Sequence, residues 1–304
     1  MIVLRVPKAE RVYEVALAAD GSRVAVLFLF FDDKNYQGVR VCDPAGGAWW
    51  ADPGEPMWNP LHLATHPAGR YVAWGNWDGS IIAADLASGE RADVADGTAD
   101  AGKVRRLQFS PDGGELWAVS RRVRRWAVGS WQPLPPAGPD IPTGGHVRVS
   151  GDGTAVAAWE EHWGPHSMLT TLSFSSPAGA ELVELTFPKK YWNACAIDPP
   201  GRLFAAAGAT NALNVWAVAT GQELFHRPPR RGTHVGAVAF TPDGRTLLVG
   251  QGTGVRAFDT ETWAEGQAYD WRAGKVTCLA VAAGGLTAAA GTKTGRVVVW
   301  DLGG

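Results

Sequence analysis

Residues 235–251, VGAVAFTPDGRTLLVGQ, consist of two apolar runs on either side of a short polar turn. Alternation with a period of two is typical of extended strands, whose successive side chains point to opposite faces. Between the runs, Pro242 and Asp243 favour a turn, and Gly244 can adopt a positive φ angle because it has no Cβ atom. This stretch therefore predicts two antiparallel strands joined by a tight turn.

The same pattern recurs along the chain. Seven turn sequences (AADGS, HPAGR, SPDGG, SGDGT, DPPGR, TPDGR and AAGGL) each carry a glycine, and successive glycines are 40 to 48 residues apart. A third run follows each pair, such as VRAFD at 255–259, and weaker fourth runs follow, such as AELVELTF at 180–187. Seven units of about four strands, without helical periodicity, predict an all-β array. The turn glycines are Gly21, Gly69, Gly113, Gly153, Gly201, Gly244 and Gly285.

These units resemble the repeats of the WD-repeat family. Each has an xPDGxxL turn or a remnant of it and a third strand that ends on a Trp-Asp-like pair, which is intact at Trp300-Asp301. The repeats are degenerate, and the family's His–Ser/Thr–Asp–Trp tetrad is incomplete in every unit. The resemblance covers nearly the whole chain and implies a seven-bladed β-propeller with four antiparallel strands per blade.

The seventh unit contains only three strands, VTCLAV, LTAAAGT and VVVWD. The apolar run MIVLRVP at residues 1–7 precedes the first unit and belongs to no other one. We expect residues 1–7 to form the outer strand of blade seven, because ring closure protects sheet edges that would otherwise be exposed. Residues 1–304 would then form a single β-propeller domain.

Composition and charge exclude several classes of protein. With 46% hydrophobic and 19% charged residues, the chain has ample material for a folded core. A formal net charge of −2 offers no general attraction to nucleic acid or to an anionic membrane. No apolar run is long enough for a membrane-spanning helix, and charged residues follow the N-terminus too closely for a signal peptide. We expect a cytoplasmic monomer without a nucleic-acid or membrane partner.

Sequence motifs for catalysis or cofactor binding are nearly absent. Phosphate-loop and nucleophile-elbow patterns are missing, and Cys42, Cys195 and Cys278 have no metal-binding or redox spacing. The sequence GQGTG at 250–254 lies between two strands and is interpreted as a turn, because dinucleotide binding needs a following helix. We therefore predict no catalytic residue, no metal and no cofactor.

Two polar stretches have alternative interpretations. EEHWGPH at 160–166 offers possible metal ligands, but Gly164 and Pro165 indicate a solvated loop that does not hold them together. RRVRRW at 121–126 could contact nucleic acid, but a slightly acidic chain favours a solvated strand edge.

One position of the first strands differs between the two halves of the array. Seven residues before the turn glycines, units one to four carry Glu14, His62, Arg106 and His146, whereas units five to seven carry Ala or Cys. Gln108 and Arg148 lie two residues further along their strands. Buried polar groups need partners, so this cluster is either a satisfied network or a candidate ligand site at the channel mouth.

Aromatic residues concentrate in segments that the resemblance places at the top face of the propeller. Trp and Tyr side chains exposed together are typical of recognition surfaces. The alternative is that some of them fold back over the blade ends. The candidate partner-binding residues are Tyr36, Trp58, Trp77, Trp163, Tyr191, Trp192 and Trp271.

These observations favour a non-catalytic scaffold that binds a protein or peptide through the aromatic top face. The alternative is a propeller enzyme or small-ligand binder that uses the polar cluster at the channel mouth. A nucleic-acid reader built on the arginine-rich edge ranks last.

Overall fold

The structure is a computed structural model that describes residues 1–31, 35–51, 60–97, 102–120, 123–137, 146–163, 168–176, 181–188, 192–208, 212–228 and 234–303. In this part of the chain 28 β-strands form seven four-stranded antiparallel sheets. Within the same ranges no helix is long and apolar enough to cross a membrane. Each sheet is one blade of a β-propeller, so the predicted all-β, seven-bladed architecture is confirmed.

The strands follow one another from the innermost to the outermost position of each blade, except in blade seven. Blade one consists of β2 (Arg11–Leu17), β3 (Val24–Phe31), β4 (Asn35–Cys42) and β5 (Trp49–Ala51). Blade two consists of β6 (Pro60–Thr65), β7 (Tyr71–Asn76), β8 (Ile81–Asp85) and β9 (Arg91–Ala95), and blade three of β10 (Arg106–Phe109), β11 (Glu115–Val119), β12 (Val123–Ala127) and β13 (Pro133–Ala137). Blade four consists of β14 (His146–Val149), β15 (Val156–Trp163), β16 (Met168–Ser175) and β17 (Glu181–Pro188). Blade five consists of β18 (Trp192–Ile197), β19 (Leu203–Gly208), β20 (Leu213–Ala217) and β21 (Glu223–Arg227), and blade six of β22 (Val235–Phe240), β23 (Thr246–Gln251), β24 (Gly254–Asp259) and β25 (Glu265–Asp270). Blade seven consists of β26 (Val276–Val281), β27 (Thr287–Thr292), β28 (Arg296–Asp301) and β1 (Ile2–Arg5).

The turn between the first two strands of a blade is held by side-chain hydrogen bonds. In TPDGR, Thr241 Oγ1 donates to Asp243 Oδ1 (2.6 Å) and accepts from the Thr246 amide (3.0 Å). Gly244 has a φ of +68°, and a Cβ atom there would meet side-chain atoms of Arg202 and Asp198 in the neighbouring blade. The Thr, Asp and Gly of this motif therefore have separate physical roles in the turn.

Blade five keeps the same turn with different chemistry. Its sequence DPPGR places Asp198 at the position of Thr241, three residues before the turn glycine. The carboxylate oxygen Oδ1 of Asp198 accepts hydrogen bonds from the amides of Arg202 (2.6 Å) and Leu203 (2.7 Å). In blade five one carboxylate oxygen therefore accepts both turn amides, whereas in blade six the Thr241 hydroxyl and the Asp243 carboxylate accept them separately.

The N-terminal strand completes blade seven, as the sequence predicts. β1 pairs antiparallel with β28, with Ile2 opposite Val299 and Arg5 opposite Arg296. The paired strand is shorter than residues 1–7, but Leu4 and Val6 are both buried in the core between blades seven and one. Ring closure therefore combines strand pairing with apolar packing.

Apolar cores fill the interfaces between blades. Among the described residues, seven clusters of buried side chains correspond to the seven interfaces of the ring. The interface between blades three and four, for example, contains Val119, Val123, Val147 and Val156. Each blade sheet thus buries both of its faces against its neighbours, which leaves the two ends, the outer rim and the channel accessible.

The first strands of neighbouring blades contact one another, as β2 does with β6 and β26, and they therefore line the central channel. We call the end with the turns between first and second strands the lower end. The upper end carries the turns between second and third strands, such as Asp78-Gly79, and the connections that lead into each first strand.

Candidate binding site at the channel mouth

The four polar residues predicted at the channel mouth, one from each first strand of blades one to four, lie at the same depth in the channel. Glu14 pairs with Leu27, His62 with Gly75, Arg106 with Val119 and His146 with Trp159, and in every case the partner is 13 residues further along the chain. The equivalent residues of blades five to seven show the same spacing. Strand register therefore places the four predicted channel-mouth residues in one ring near the upper end.

Three of the four residues form a hydrogen-bonded network centred on Glu14. Arg106 Nη1 donates to Glu14 Oε1 (3.0 Å), and the Leu63 amide donates to Glu14 Oε2 (3.0 Å). The Nδ1 atom of His62 lies 3.3 Å from the same Oε2. Because Arg106 belongs to blade three and Glu14 to blade one, this ion pair spans blade two and crosses part of the channel.

The network determines the charge of Glu14. Burial would raise the pKa of Glu14, but His62, Arg106 and the Leu63 amide outweigh it and hold the pKa below its ordinary value of 4.5. A carboxyl group with a lowered pKa in the folded chain stabilises the fold above its unfolded pKa, and this contribution is lost as the pH falls through the folded pKa. Glu14 is therefore ionised at neutral pH and stabilises the junction of blades one to three.

We expect Glu14→Gln to lower the free energy of unfolding at neutral pH by about 1.5–3 kcal/mol, the usual contribution of a hydrogen bond to a charged group. Urea denaturation over a pH series that runs from neutral pH to well below 4.5 measures it, and the difference from the wild type should shrink as the pH falls below 4.5. Glu10→Gln is the matched control, because Glu10 is exposed in the same segment. A difference that stays constant with pH would contradict the assignment.

The fourth residue, His146, lies outside this network. Its ring stacks on Trp159 with centroids 5.2 Å apart and an interplanar angle of 15°. Although the residue as a whole is exposed, partial burial of the ring lowers the pKa of His146, and the charges of Arg148, Lys103 and other basic groups lower it further. His146 is therefore uncharged at neutral pH and sits in a positive electrostatic environment.

Arg148 adds a second guanidinium group at this part of the channel. Its Nε donates to the Cys195 carbonyl (3.1 Å), and its Nη1 donates to the Val147 carbonyl (2.8 Å). Burial, followed by the charge of Arg106, lowers the pKa of Arg148. Because these acceptors are neutral main-chain groups, they fix the orientation of the guanidinium without neutralising its charge.

An exposed tryptophan lies beside this cluster at the upper end. Trp77 follows the second strand of blade two and is 57% exposed, and the Lys103 ammonium group lies 4.8 Å from its ring centroid. Lys103 precedes β10 and belongs to the connection that leads to Arg106. Trp77 is therefore an exposed aromatic side chain in contact with the connection that leads to Arg106.

The described part of the chain contains the side chains of three of the seven predicted aromatic residues, Trp77, Trp192 and Trp271. Trp192 is wrong as an exposed anchor, because it begins β18, is 3% exposed and packs in the core between blades four and five. Trp271 is half-buried, and its ring lies 4.5 Å from that of Trp300. Trp58 and Tyr191 lie outside the described residues, and the side chains of Tyr36 and Trp163 are likewise outside them.

Sequence reasoning missed two residues of this region. Tyr13 is 37% exposed, and the Arg11 guanidinium lies 4.7 Å from its ring centroid. It occupies a shift in strand register between Val12 and Glu14, and such a bulge re-aims side chains. Lys103 was missed because it lies in a connection without regular structure. The bulge that exposes Tyr13 cannot be recognised from the alternation of polar and apolar residues. The contact between Lys103 and Trp77 cannot be predicted without knowing how blades two and three pack together.

The two polar stretches outside the channel can be examined only where the structure describes them. In EEHWGPH, His162 Nε2 lies 3.8 Å from Glu160 Oε2, and the described residues contain no group of three side chains placed to hold a metal ion. In RRVRRW, Arg125 pairs with Glu115 (2.6 Å), and Arg124 donates to the Gly79 carbonyl (3.0 Å). Arg121 and Arg122 lie outside the described residues.

A wide concavity of about 540 Å³ lies on the outer rim of blade five, away from the channel. It is lined by residues of β20 and β21, among them Asn214, Glu223 and His226. Asn214 Nδ2 donates to Glu223 Oε1 (2.6 Å) and lies 2.8 Å from His226 Nδ1. These polar groups satisfy one another, whereas at the channel mouth Arg148 has only main-chain acceptors among the described residues, so the channel mouth is the stronger candidate site.

A search of protein-family models finds no match to this chain, and a search of curated proteins finds none either. The seven-bladed architecture is compatible with a WD-type propeller.

Proposed function

We propose that this propeller is a non-catalytic interaction scaffold that binds a protein or peptide segment at its upper end. The observation that carries the proposal is Trp77, a large aromatic side chain that is 57% exposed and contacts Lys103 in the connection that leads to Arg106. Tyr13, 37% exposed, supplies a second aromatic ring on blade one. Exposed Trp and Tyr side chains provide large contact area at low entropic cost, and they dominate the energetics of many interfaces.

The alternative function is an enzyme or small-ligand binder at the channel mouth. A general base needs a free lone pair within reach of a substrate, whereas Glu14 already accepts hydrogen bonds from Arg106 and Leu63 and lies within reach of His62. Burial raises the pKa of Cys42, Cys195 and Cys278 to about 12, which keeps all three thiols protonated at neutral pH. Hydrolysis of ester, lactone, phosphate or glycoside substrates that is lost in His62→Ala or His146→Ala would favour this alternative.

The test of the scaffold proposal is selection of peptides from a random displayed library against the folded protein. We expect enriched peptides to bind about thirtyfold more weakly to Trp77→Ala, because truncation of an interface anchor costs about 2 kcal/mol. Titration calorimetry with synthetic peptides measures the affinity, and circular dichroism checks that the variant is folded.

Leu286→Ala is the matched control, because Leu286 is 68% exposed but belongs to the AAGGL turn at the lower end. Its substitution should leave the affinity unchanged. Enriched peptides that depend on Leu286 and tolerate Trp77→Ala would place the binding surface at the lower end and contradict binding at the upper end. Failure to enrich any peptide would overturn the scaffold proposal.

The proposal extends to ancestry, compartment and oligomeric state. The xPDGxxL turns and Trp300-Asp301 support descent from WD-repeat propellers, and three free, buried cysteines support a cytoplasmic location.

The buried faces of all seven blades support a monomer. Microscopy of the tagged chain and light scattering test the last two statements, and an oligomer at micromolar concentration would contradict the monomer.

A further inference from the structure

Among the residues that the structure describes, two cations at the channel mouth, Arg148 and Lys103, make no ion pair with a carboxylate. Arg106 and His62 are paired with Glu14, but Arg148, in the neighbouring blade, has only main-chain carbonyls as hydrogen-bond partners among the described residues. Lys103 lies nearby over the ring of Trp77. The local excess of cations contrasts with the formal net charge of −2 of the whole chain.

These cations act on one region of the mouth. The charges of Arg148, Lys103 and Arg105 reach the imidazole of His146, and at Arg148 the charge of Arg106 acts together with the opposite charge of Glu14. The guanidinium of Arg148 is held in place by its two carbonyl acceptors, so its charge does not move away into solvent. Fixed cations in a partly enclosed channel focus a positive potential at the mouth.

The contacts of Glu14 show what kind of anion suits these donors. Its two carboxylate oxygens are bound separately, Oε1 by Arg106 and Oε2 by the Leu63 amide, both at 3.0 Å. A guanidinium group presents several N–H donors in one plane and matches the geometry of a carboxylate. Glu14 neutralises the charge of Arg106. A second carboxylate, supplied by a ligand beside Arg106 and Arg148, would neutralise the charge of Arg148 in the same way.

We propose that the partner segment is acidic, and that its Asp or Glu side chains occupy the upper channel mouth between Arg106, Arg148 and Lys103. This inference rests on the proposed scaffold function and specifies the partner. Trp77 would pack against the apolar parts of the same segment, since its ring lies next to Lys103. The small number of converging cations fits a short acidic peptide, whereas nucleic acid needs a longer basic stripe and is disfavoured by the net charge.

The experiment measures fluorescence anisotropy of a labelled hexaglutamate peptide, with hexaglutamine as the uncharged comparison. We expect hexaglutamate alone to bind, with an affinity that falls when salt shortens the range of electrostatic attraction. Arg106→Gln and Lys103→Gln should each weaken binding about tenfold or more. Lys103→Gln leaves the Glu14 network intact, so it remains informative if Arg106→Gln is unstable. Arg245→Gln is the control, because Arg245 is exposed at the lower end and carries the same charge.

Equal binding of both peptides, or loss of hexaglutamate binding in Arg245→Gln, would overturn recognition of an acidic segment at the mouth. Inorganic phosphate is then added at a concentration of negative charge equal to that of the hexaglutamate carboxylates. Displacement of the peptide under these conditions would show that the mouth binds a small anion, which would overturn recognition of a peptide segment. Tighter binding of single-stranded RNA that depends on Lys103 would identify nucleic acid instead. If library peptides bind through Trp77 but are not acidic, the scaffold function stands and this inference fails.

Discussion

Removal of residues 1–7 should lower the free energy of unfolding by several kcal/mol and leave the protein prone to self-association. Leu4 and Val6 are 9% and 0% exposed, and each buried side chain of this size contributes roughly 1.5–3 kcal/mol. The deletion also removes the four residue pairs between β1 and β28 and exposes the edge of β28. Urea denaturation gives the stability, and size-exclusion chromatography with light scattering gives the oligomeric state.

Single substitutions in β1 separate packing from strand pairing. Leu4→Ala should cost about 2 kcal/mol or more, because Leu4 points into the core between blades seven and one. Val3→Ala, in the adjacent position, should change the stability by about 0.5 kcal/mol or less, because Val3 is 46% exposed. A truncated protein that melts like the full chain and remains monomeric would refute the closure of the ring by this strand.

Replacement of Trp192 by Ala should cost about 3–5 kcal/mol of stability, the usual range for a buried tryptophan. Its ring lies 5.3 Å from Phe187, 5.5 Å from Trp216, 6.3 Å from Phe204 and 6.4 Å from Trp159. Truncation therefore opens a cavity in the aromatic core between blades four and five and removes several aromatic contacts at once. Thermal and urea denaturation measure the loss.

Trp77→Ala is the matched comparison, because it makes the same chemical change at an exposed site. It removes one contact with Lys103, which contributes about 0.5–1 kcal/mol at an exposed position. The two substitutions should therefore have opposite signatures, with stability lost in Trp192→Ala and partner affinity lost in Trp77→Ala. Normal stability of Trp192→Ala together with lost binding would return Trp192 to the recognition surface.

Turn chemistry made most of the fold predictable. The Thr, Asp and Gly of TPDGR make local hydrogen bonds and adopt a local backbone conformation, so their sequence signal survives without knowledge of the rest of the chain. Strand limits were less predictable. The start of β18 at Trp192 is an example, since inclusion of this residue in the strand turns its side chain into the blade interface.

The candidate site was predictable as a ring of positions but not as a set of contacts. Counting from the turn glycines gives the depth of Glu14 and Arg106, because strand residues advance by a constant rise. The ion pair between them joins residues 92 positions apart and depends on how blades one and three face each other across the channel. The satisfied network expected as one alternative holds for three residues, while His146 and Arg148 extend the site beyond it.

The pairing of β1 with β28 also has a consequence for the order of folding. Most blades pair strands that follow one another directly, whereas the contact of Ile2 with Val299 joins nearly the whole chain. Among the strand pairings that the structure describes, closing so long a loop carries the largest chain entropy cost, and contacts of this kind form slowly. During synthesis β1 emerges long before β28, so it has no pairing partner for most of that time. Until then its apolar residues Leu4 and Val6 lack their core, so the newly made chain is most vulnerable to aggregation just before the ring closes.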